Sequence, residues 1–152
     1  MANFQFKGTV GGVSPESIQC DVAAGTTGSI LAGDLVNLAN GYAVLVANGG
    51  GVSTGTKLFG LATSTSTETA SVAGKVDVIY CPSGLVVEGF ATTPSNLSIA
   101  NVWDKVTIDL SGTTMTVDEN DTSNGAILIS KLVGTDFATT GRVQVVVPFQ
   151  VP

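Results

Sequence analysis

The stretch Asp34-Leu35-Val36-Asn37-Leu38-Ala39-Asn40-Gly41-Tyr42-Ala43-Val44-Leu45-Val46 decides the fold class. Asn40-Gly41 is the dipeptide that best accepts the positive φ angles of a two-residue type I′ turn. Short apolar-rich segments flank it, so Asp34 to Leu38 and Tyr42 to Val46 are predicted as the two strands of a β-hairpin. The same reading extends in both directions. Upstream, Ser17 to Val22 alternates, with Ile18, Cys20 and Val22 on one face and Ser17, Gln19 and Asp21 on the other, the period-two pattern of a half-buried strand. Downstream, Lys57 to Thr63 carries Leu58, Phe59 and Leu61, and Lys75 to Cys81 alternates until Pro82 stops it. Leu85 to Ala91 then returns, which predicts a second hairpin around Ser83-Gly84.

The remaining segments repeat the pattern. Val102 to Leu110 is expected as a strand with Trp103, Lys105, Thr107 and Asp109 on its polar face, and Ser111-Gly112 turns it into Thr113 to Asp118. Ala126 to Val133 has apolar residues on both faces, as in a strand covered on both sides. Arg142 to Val151 places Val143, Val145, Val147, Phe149 and Val151 on one face. Thr92 to Ala100, with Pro94, holds at most a helical turn. Nineteen glycines punctuate these segments, and long helices have nowhere to sit. The expected fold is all-β, a small barrel, β-tulip or sandwich, with an extended N-terminal arm at 1–16, a single β domain at 17–152 and a C-terminal strand.

Composition narrows function. Charged residues make up 12% of the 152-residue chain and mean hydropathy is +0.40, against roughly 25% charge in typical soluble domains. No apolar run approaches the roughly 18–20 residues of a membrane-spanning helix, and Met1 to Lys7 lacks the basic and apolar regions of a signal peptide; neither membrane insertion nor export is expected. The net charge is −6 with six basic residues scattered singly. No Lys/Arg patch therefore exists to neutralise phosphates, and nucleic-acid binding is disfavoured.

Chemistry-bearing patterns are scarce. Histidine, the commonest general base and metal ligand, is absent. Cys20 and Cys81 belong to no C-x-x-C pair and are read as two buried free thiols, with a disulfide as the alternative. Gly49-Gly50-Gly51 lacks the Lys-Ser/Thr that would close a phosphate loop and is read as part of a flexible loop, Asn48 to Gly55. The tract Thr63 to Ser71 is read as a solvated loop, or as an edge where hydroxyls bond backbone. The acidic loop from Asp118 to Asp121 misses the helix-loop-helix calcium pattern, since Ser123 stands where Gly is needed and Ile129 where Glu is needed. A solvated turn is expected there, with a weak, irregular calcium site as the alternative. Asn96-Leu97-Ser98 and Asn120-Asp121-Thr122 are taken as chance matches to the glycosylation triplet. No catalytic, metal or cofactor residue is assigned, and the chain is not expected to be an enzyme.

Aromatic residues supply the candidate interface: Phe4, Phe6, Trp103 and Phe149. Phe4 and Phe6 share one side of an extended arm that either docks on a neighbour or packs on its own body. Trp103 is read either as core, or a lid over the barrel end, or as the anchor of a partner interface.

The order of several blocks resembles the small head decoration, or capsid cement, proteins of tailed bacteriophages. They are Ala32-Gly33-Asp34-Leu35-Val36-Asn37-Leu38 with Gly41-Tyr42-Ala43-Val44, then Phe59-Gly60-Leu61-Ala62-Thr63 leading into the Ser/Thr tract. Lys75-Val76-Asp77-Val78, Gly84-Leu85-Val86 and Asp104-Lys105-Val106-Thr107 follow, closed by the turn from Asp118 to Gly125. The likeness runs from Ile18 to Val147 and is carried by order and spacing. It implies a protein made in the host cytoplasm that binds the outer surface of the expanded head, bridges neighbouring major capsid subunits and acts as a homo-oligomer, a trimer in preference to a dimer. The rival expectation is a carbohydrate-binding or adhesin-like module on a phage particle, reading sugars through Trp103, Tyr42 or Tyr80.

Overall fold

A computed structural model of the chain describes residues 3–47, 58–123 and 125–148. Among them are eleven strands: β1 (Gln5–Thr9), β2 (Glu16–Val22), β3 (Leu35–Ala39), β4 (Tyr42–Leu45), β5 (Leu58–Ala62), β6 (Gly74–Tyr80), β7 (Leu85–Phe90), β8 (Lys105–Ser111), β9 (Thr114–Asp118), β10 (Ile127–Leu132) and β11 (Arg142–Val147). A single short helix, α1 (Phe137–Thr140), is the described α-helical element. The strands form two antiparallel sheets, β1-β7-β11-β10-β8-β9 and β2-β6-β5-β3-β4. The fold is therefore all-β and sandwich-like. Both sheets curl. Ala91, just past β7, makes a lone parallel bridge to Val117 of β9, and the edge strands β2 and β4 approach within 8 Å between Cα atoms. Neither sheet closes into a barrel by a continuous ladder among the described residues.

The founding hairpin forms as its turn chemistry dictates. Ala39 faces Tyr42 in register, and Asn40 and Gly41 take φ of 52° and 84°, the two positive values of a type I′ turn. The hairpin expected around Ser83-Gly84 does not form. β6 pairs with β2 and β5, whereas β7 pairs with β1 and β11. The turn, closed by Gly84 N–H donating to Cys81 O at 2.9 Å, carries the chain from one sheet to the other. A tight turn fixes the reversal of the chain but not which sheet receives the next strand.

The five-stranded sheet is covered on both faces. Leu35 and Leu61 point into the main core between the sheets, with Leu85, Val87, Ile108, Ile127, Ile129, Val143 and Val145. Their chain neighbours Val36 and Ala62 join a second cluster with Cys20, Val22, Ile30, Ala43, Val76 and Val78. Successive residues of a strand face opposite ways, so Leu35 and Val36, both fully buried, serve different cores. Curling of β2 toward β4 is what gives the second cluster its enclosure.

The N-terminal segment is no free arm over its described part. β1 is an edge strand of the six-stranded sheet, with Gln5 opposite Glu88 and Phe6 opposite Val87. Phe4 is 1% exposed and belongs to the main core. Residues 5–9 are thus hydrogen-bonded into the same sheet as β7 and β11.

Candidate docking surface

The four candidate interface residues fall in different environments. Phe4 is a core residue. Phe6 lies at the rim of the same sheet, 42% exposed, and Phe149 lies outside the described residues. Trp103 is 67% exposed and makes neither core nor lid. The strand expected from Val102 starts only at Lys105, because the chain first passes through consecutive turns: Pro94–Asn96 and Ile99–Asn101 are 3-10 turns.

Local chemistry explains that loop. Ser98 and Asn101 form a capping box, with Ser98 N–H donating to Asn101 Oδ1 at 2.8 Å. Val102 N–H donates to Ile99 O at 3.2 Å and Asp104 N–H to Asn101 O at 3.0 Å. The exit is pinned to β10, where Trp103 N–H donates to Ile129 O at 2.7 Å and Ile129 N–H donates back to Asp104 O at 3.0 Å. Between these ties Trp103 is held at φ 77°, a left-handed conformation that costs a bulky residue about 1–3 kcal/mol. Ile99, 80% exposed, stands in the same loop. The alternating pattern from 102 to 110 concealed the turn, and Ile99 drew no attention in sequence; the Ser98/Asn101 spacing was the available signal.

A second feature lies at the open edge of the five-stranded sheet. Residues 22–25, 29–30 and 43–45 line a cleft of about 290 Å³ between the end of β2 and β4. Its existence follows from missing bulk, since Ala23, Ala24 and Gly25 on one wall and Ala43 on the other are too short to close the gap. Ile30 and Ala43 are buried in it. Ser29 is its polar member, and both the Ser29 amide (2.8 Å) and hydroxyl (2.5 Å) donate to Glu68 Oε1. Glu68 is fully buried. Burial alone would raise its pKa, but the hydrogen bonds donated by the Ser29 hydroxyl and amide prevail and lower it from 4.5 to about 2. The Ser/Thr tract carrying Glu68 is a largely exposed loop tied along β6: Thr63 N–H and Thr67 N–H donate to Asp77 O and Lys75 O at 2.8 and 3.0 Å, and Asp77 N–H donates to Ser64 Oγ at 2.9 Å. Its hydroxyls bond backbone, as the second of the two sequence readings had it.

Several other titratable groups have structural partners. In the acidic loop, Asp121 accepts from the Ser123 amide (3.1 Å) and hydroxyl (2.6 Å) and from Thr107 Oγ1 (3.3 Å). The Ser123 bonds, above all, hold its carboxyl below the usual range. Asp118 accepts from Asn120 N–H at 3.2 Å, and Glu119, buried, accepts from Thr93 N–H at 3.3 Å. Among the described residues no three His, Cys, Asp or Glu converge as a metal site. On the outer face of the six-stranded sheet, Arg142 Nε and Nη2 donate to Glu88 Oε1 at 3.1 and 2.6 Å, and Lys7 Nζ stands 3.8 Å from Oε2. Burial would raise the Glu88 carboxyl, yet Arg142 and then Lys7 hold it below its ordinary value. Cys20 and Cys81 are both buried and free, and they lie in different core clusters.

Of the three aromatics considered for sugar binding, Trp103 precedes β8 of one sheet and Tyr42 opens β4 of the other. Tyr80 packs against the second core cluster. The structure does not assemble the three into one aromatic platform on a single sheet. No protein-family model, no curated protein and no solved structure matches the chain.

Proposed function

We propose that the chain is a non-enzymatic structural module, a decoration protein that binds the outer surface of an expanded phage capsid and bridges neighbouring major capsid subunits. The observation that carries this reading is Trp103. A bulky aromatic held at positive φ and left two-thirds in water gains little within its own molecule. Docked in a partner it becomes a preorganised anchor, because its backbone is already fixed and little freedom is lost on binding. Tryptophan is among the residues most enriched at energetic hot spots. The order of the sequence blocks and the 12% charge content support a surface made for other chains rather than for water alone.

The mechanism is linkage. A ligand that binds only the mature lattice stabilises it by mass action, and repetition over a shell makes many contacts that must break together. Cosedimentation of the purified protein with decoration-free heads, expanded and unexpanded, tests it. The protein should pellet with expanded heads only, and Trp103→Ala should weaken binding by ~30-fold or more, as loss of a hot spot of ~2 kcal/mol implies. Binding to neither form ends the proposal; saturable glycan binding with no affinity for heads replaces it with the sugar-reading module.

A further inference from the structure

We propose that the open outer edge of β2 receives an extended segment of another polypeptide, in the way that β7 receives β1. The ground for this is an internal repeat. Strands β2-β6-β5-β3-β4 of one sheet and β7-β11-β10-β8-β9 of the other are laid out in the same order, and each set is consecutive in the chain. The likeness reaches single bonds. Gly33 N–H donates to Ala62 O at 2.8 Å and Ala62 N–H to Asp34 O at 2.9 Å, while Trp103 N–H donates to Ile129 O at 2.7 Å and Ile129 N–H to Asp104 O at 3.0 Å. Gly33 and Trp103 both hold positive φ, 96° and 77°. In sequence, Gly74-Lys75-Val76-Asp77-Val78 at β6 corresponds to Gly141-Arg142-Val143-Gln144-Val145 at β11.

The ladder registers then match β2 to β7. Cys20 faces Val76 and Gly89 faces Val143, so Gln19 corresponds to Glu88 and Ile18 to Val87. β1 is left over, one added strand for two equivalent edges. In an antiparallel ladder alternate residues turn their backbone groups to the same neighbour. Ala91 N–H donates to Gly141 O, so Val86 and Glu88 turn theirs to β1. Asp77 accepts from Thr63 N–H and donates to Ser64 Oγ, away from β2. Gln19, opposite it, therefore turns its N–H and C=O outward, and by the same alternation so do Ser17 and Asp21. Among the described residues no strand pairs with that edge. Burial differs accordingly: Val87, opposite Phe6 of β1, is fully buried, whereas Ile18 is 43% exposed.

The edge selects the chemistry of its occupant. Outward backbone groups at alternate residues are matched by an extended chain. Opposite Ile18 the occupant presents a large apolar side chain, as Phe6 does to Val87. On β7, Lys7 stands 3.8 Å from Glu88; around β2 stand the carboxylates of Glu16, Asp21 and Asp77, of which Asp21 is paired with Lys75, so the occupant carries a basic residue too. β1 has this chemistry, but Phe4 in the main core holds it on β7. The same holds in every copy, so the segment belongs to a different protein. This edge is separate from Trp103.

A synthetic peptide of the sequence Asn3–Thr9 is the probe, and amide hydrogen exchange of the full-length protein is the readout, without heads. With peptide at ~10 times its Kd, the Ser17, Gln19 and Asp21 amides should slow by about tenfold, with Val86 and Glu88 unchanged. Gln19→Pro removes an outward N–H and leaves the β6 ladder intact, the placement at which an edge strand tolerates proline; it should fold and lose peptide binding. A peptide N-methylated at Gln5, the residue paired with Glu88 on β7, should fail on the wild-type protein, which keeps the test decisive if Gln19→Pro proves unfolded by circular dichroism. Binding undiminished by either change, or no slowing at the three amides, overturns the proposal. Slowing that grows with protein concentration in the absence of peptide overturns it as well, by assigning the edge to a second copy. Peptide binding at β2 with no binding to heads would leave this edge standing and remove the capsid reading; head binding without peptide binding would do the reverse.

Discussion

The ring of Phe4 occupies the space that a side chain at position 89 would need: a Cβ built on Gly89 would lie 2.4 Å from Phe4 Cε1. The two residues are neighbours across the β1–β7 ladder, one step beyond the Gln5–Glu88 pair. Glycine in a strand interior forfeits packing and conformational restriction; here the aromatic ring from the edge strand covers the bare backbone. The N-terminal segment is thereby bolted to the main core.

Phe4→Ala should therefore cost ~3–5 kcal/mol, the range for emptying a buried phenylalanine site. Gly89→Ala should also destabilise, because the ring must move. The two losses should not add, since the Phe4→Ala background leaves room for the new methyl. Urea denaturation of both single variants and the double variant measures this. Full additivity would show that the ring and the glycine are not coupled.

Glu68 makes the fold sensitive to acid. Its pKa is lowered on folding, from 4.5 to about 2, so its ionised form stabilises the folded state fully above pH 4.5, and that contribution fades as pH falls toward 2. Glu68→Gln should cost ~1.5–3 kcal/mol at neutral pH, typical of hydrogen bonds to a charged group, and should flatten the stability profile between pH 4.5 and 2. Glu88 and Asp121 shift in the same direction and will still contribute acid sensitivity. The difference between wild type and Glu68→Gln, followed by thermal melts across this window, isolates Glu68.

Trp103→Gly should raise stability by ~1 kcal/mol while abolishing docking. Glycine takes φ 77° without the clash that tryptophan suffers, and little burial is lost because the indole is mostly in water. A higher melting temperature together with lost head binding is the expected pair of results. A fall of several kcal/mol would mean that the indole packs on its own molecule.

Both thiols should resist alkylation in the folded protein. Cys20 is pushed up by burial and then by the nearby Asp21 and Asp77 charges, so little thiolate is available, and Cys81 is 1% exposed. Intact mass after mild oxidation should show no internal disulfide, since the two lie in separate clusters. Rapid labelling of either cysteine at neutral pH would contradict this placement.

What sequence made legible was local. Asn40-Gly41 specifies its hairpin without help from distant residues, and the alternation of Val143, Val145 and Val147 marks a buried face that the structure reproduces. The misread elements depended on distant partners. Whether Phe4 docked on a neighbour or packed on its own body stayed open in sequence because the glycine that receives it lies far downstream. The turn at Ser83-Gly84 reads the same whether the next strand returns to its own sheet or crosses to another. Trp103 fell within an alternating pattern that continues arithmetically into a turn set by Ser98 and Asn101. The cleft is defined by atoms that are missing, at Ala23, Ala24, Gly25 and Ala43, and periodicity does not register missing bulk.

Because Leu35 and Val36 line two separate cores, β3 works as a partition shared by two chambers. Loosening either chamber withdraws support from the same wall, so neither can melt while the other keeps its packing intact. The amides of β3 are then exchanged with solvent only when the whole molecule opens. A fold partitioned this way gives way all at once or not at all, so a load applied at either sheet is carried by both cores together.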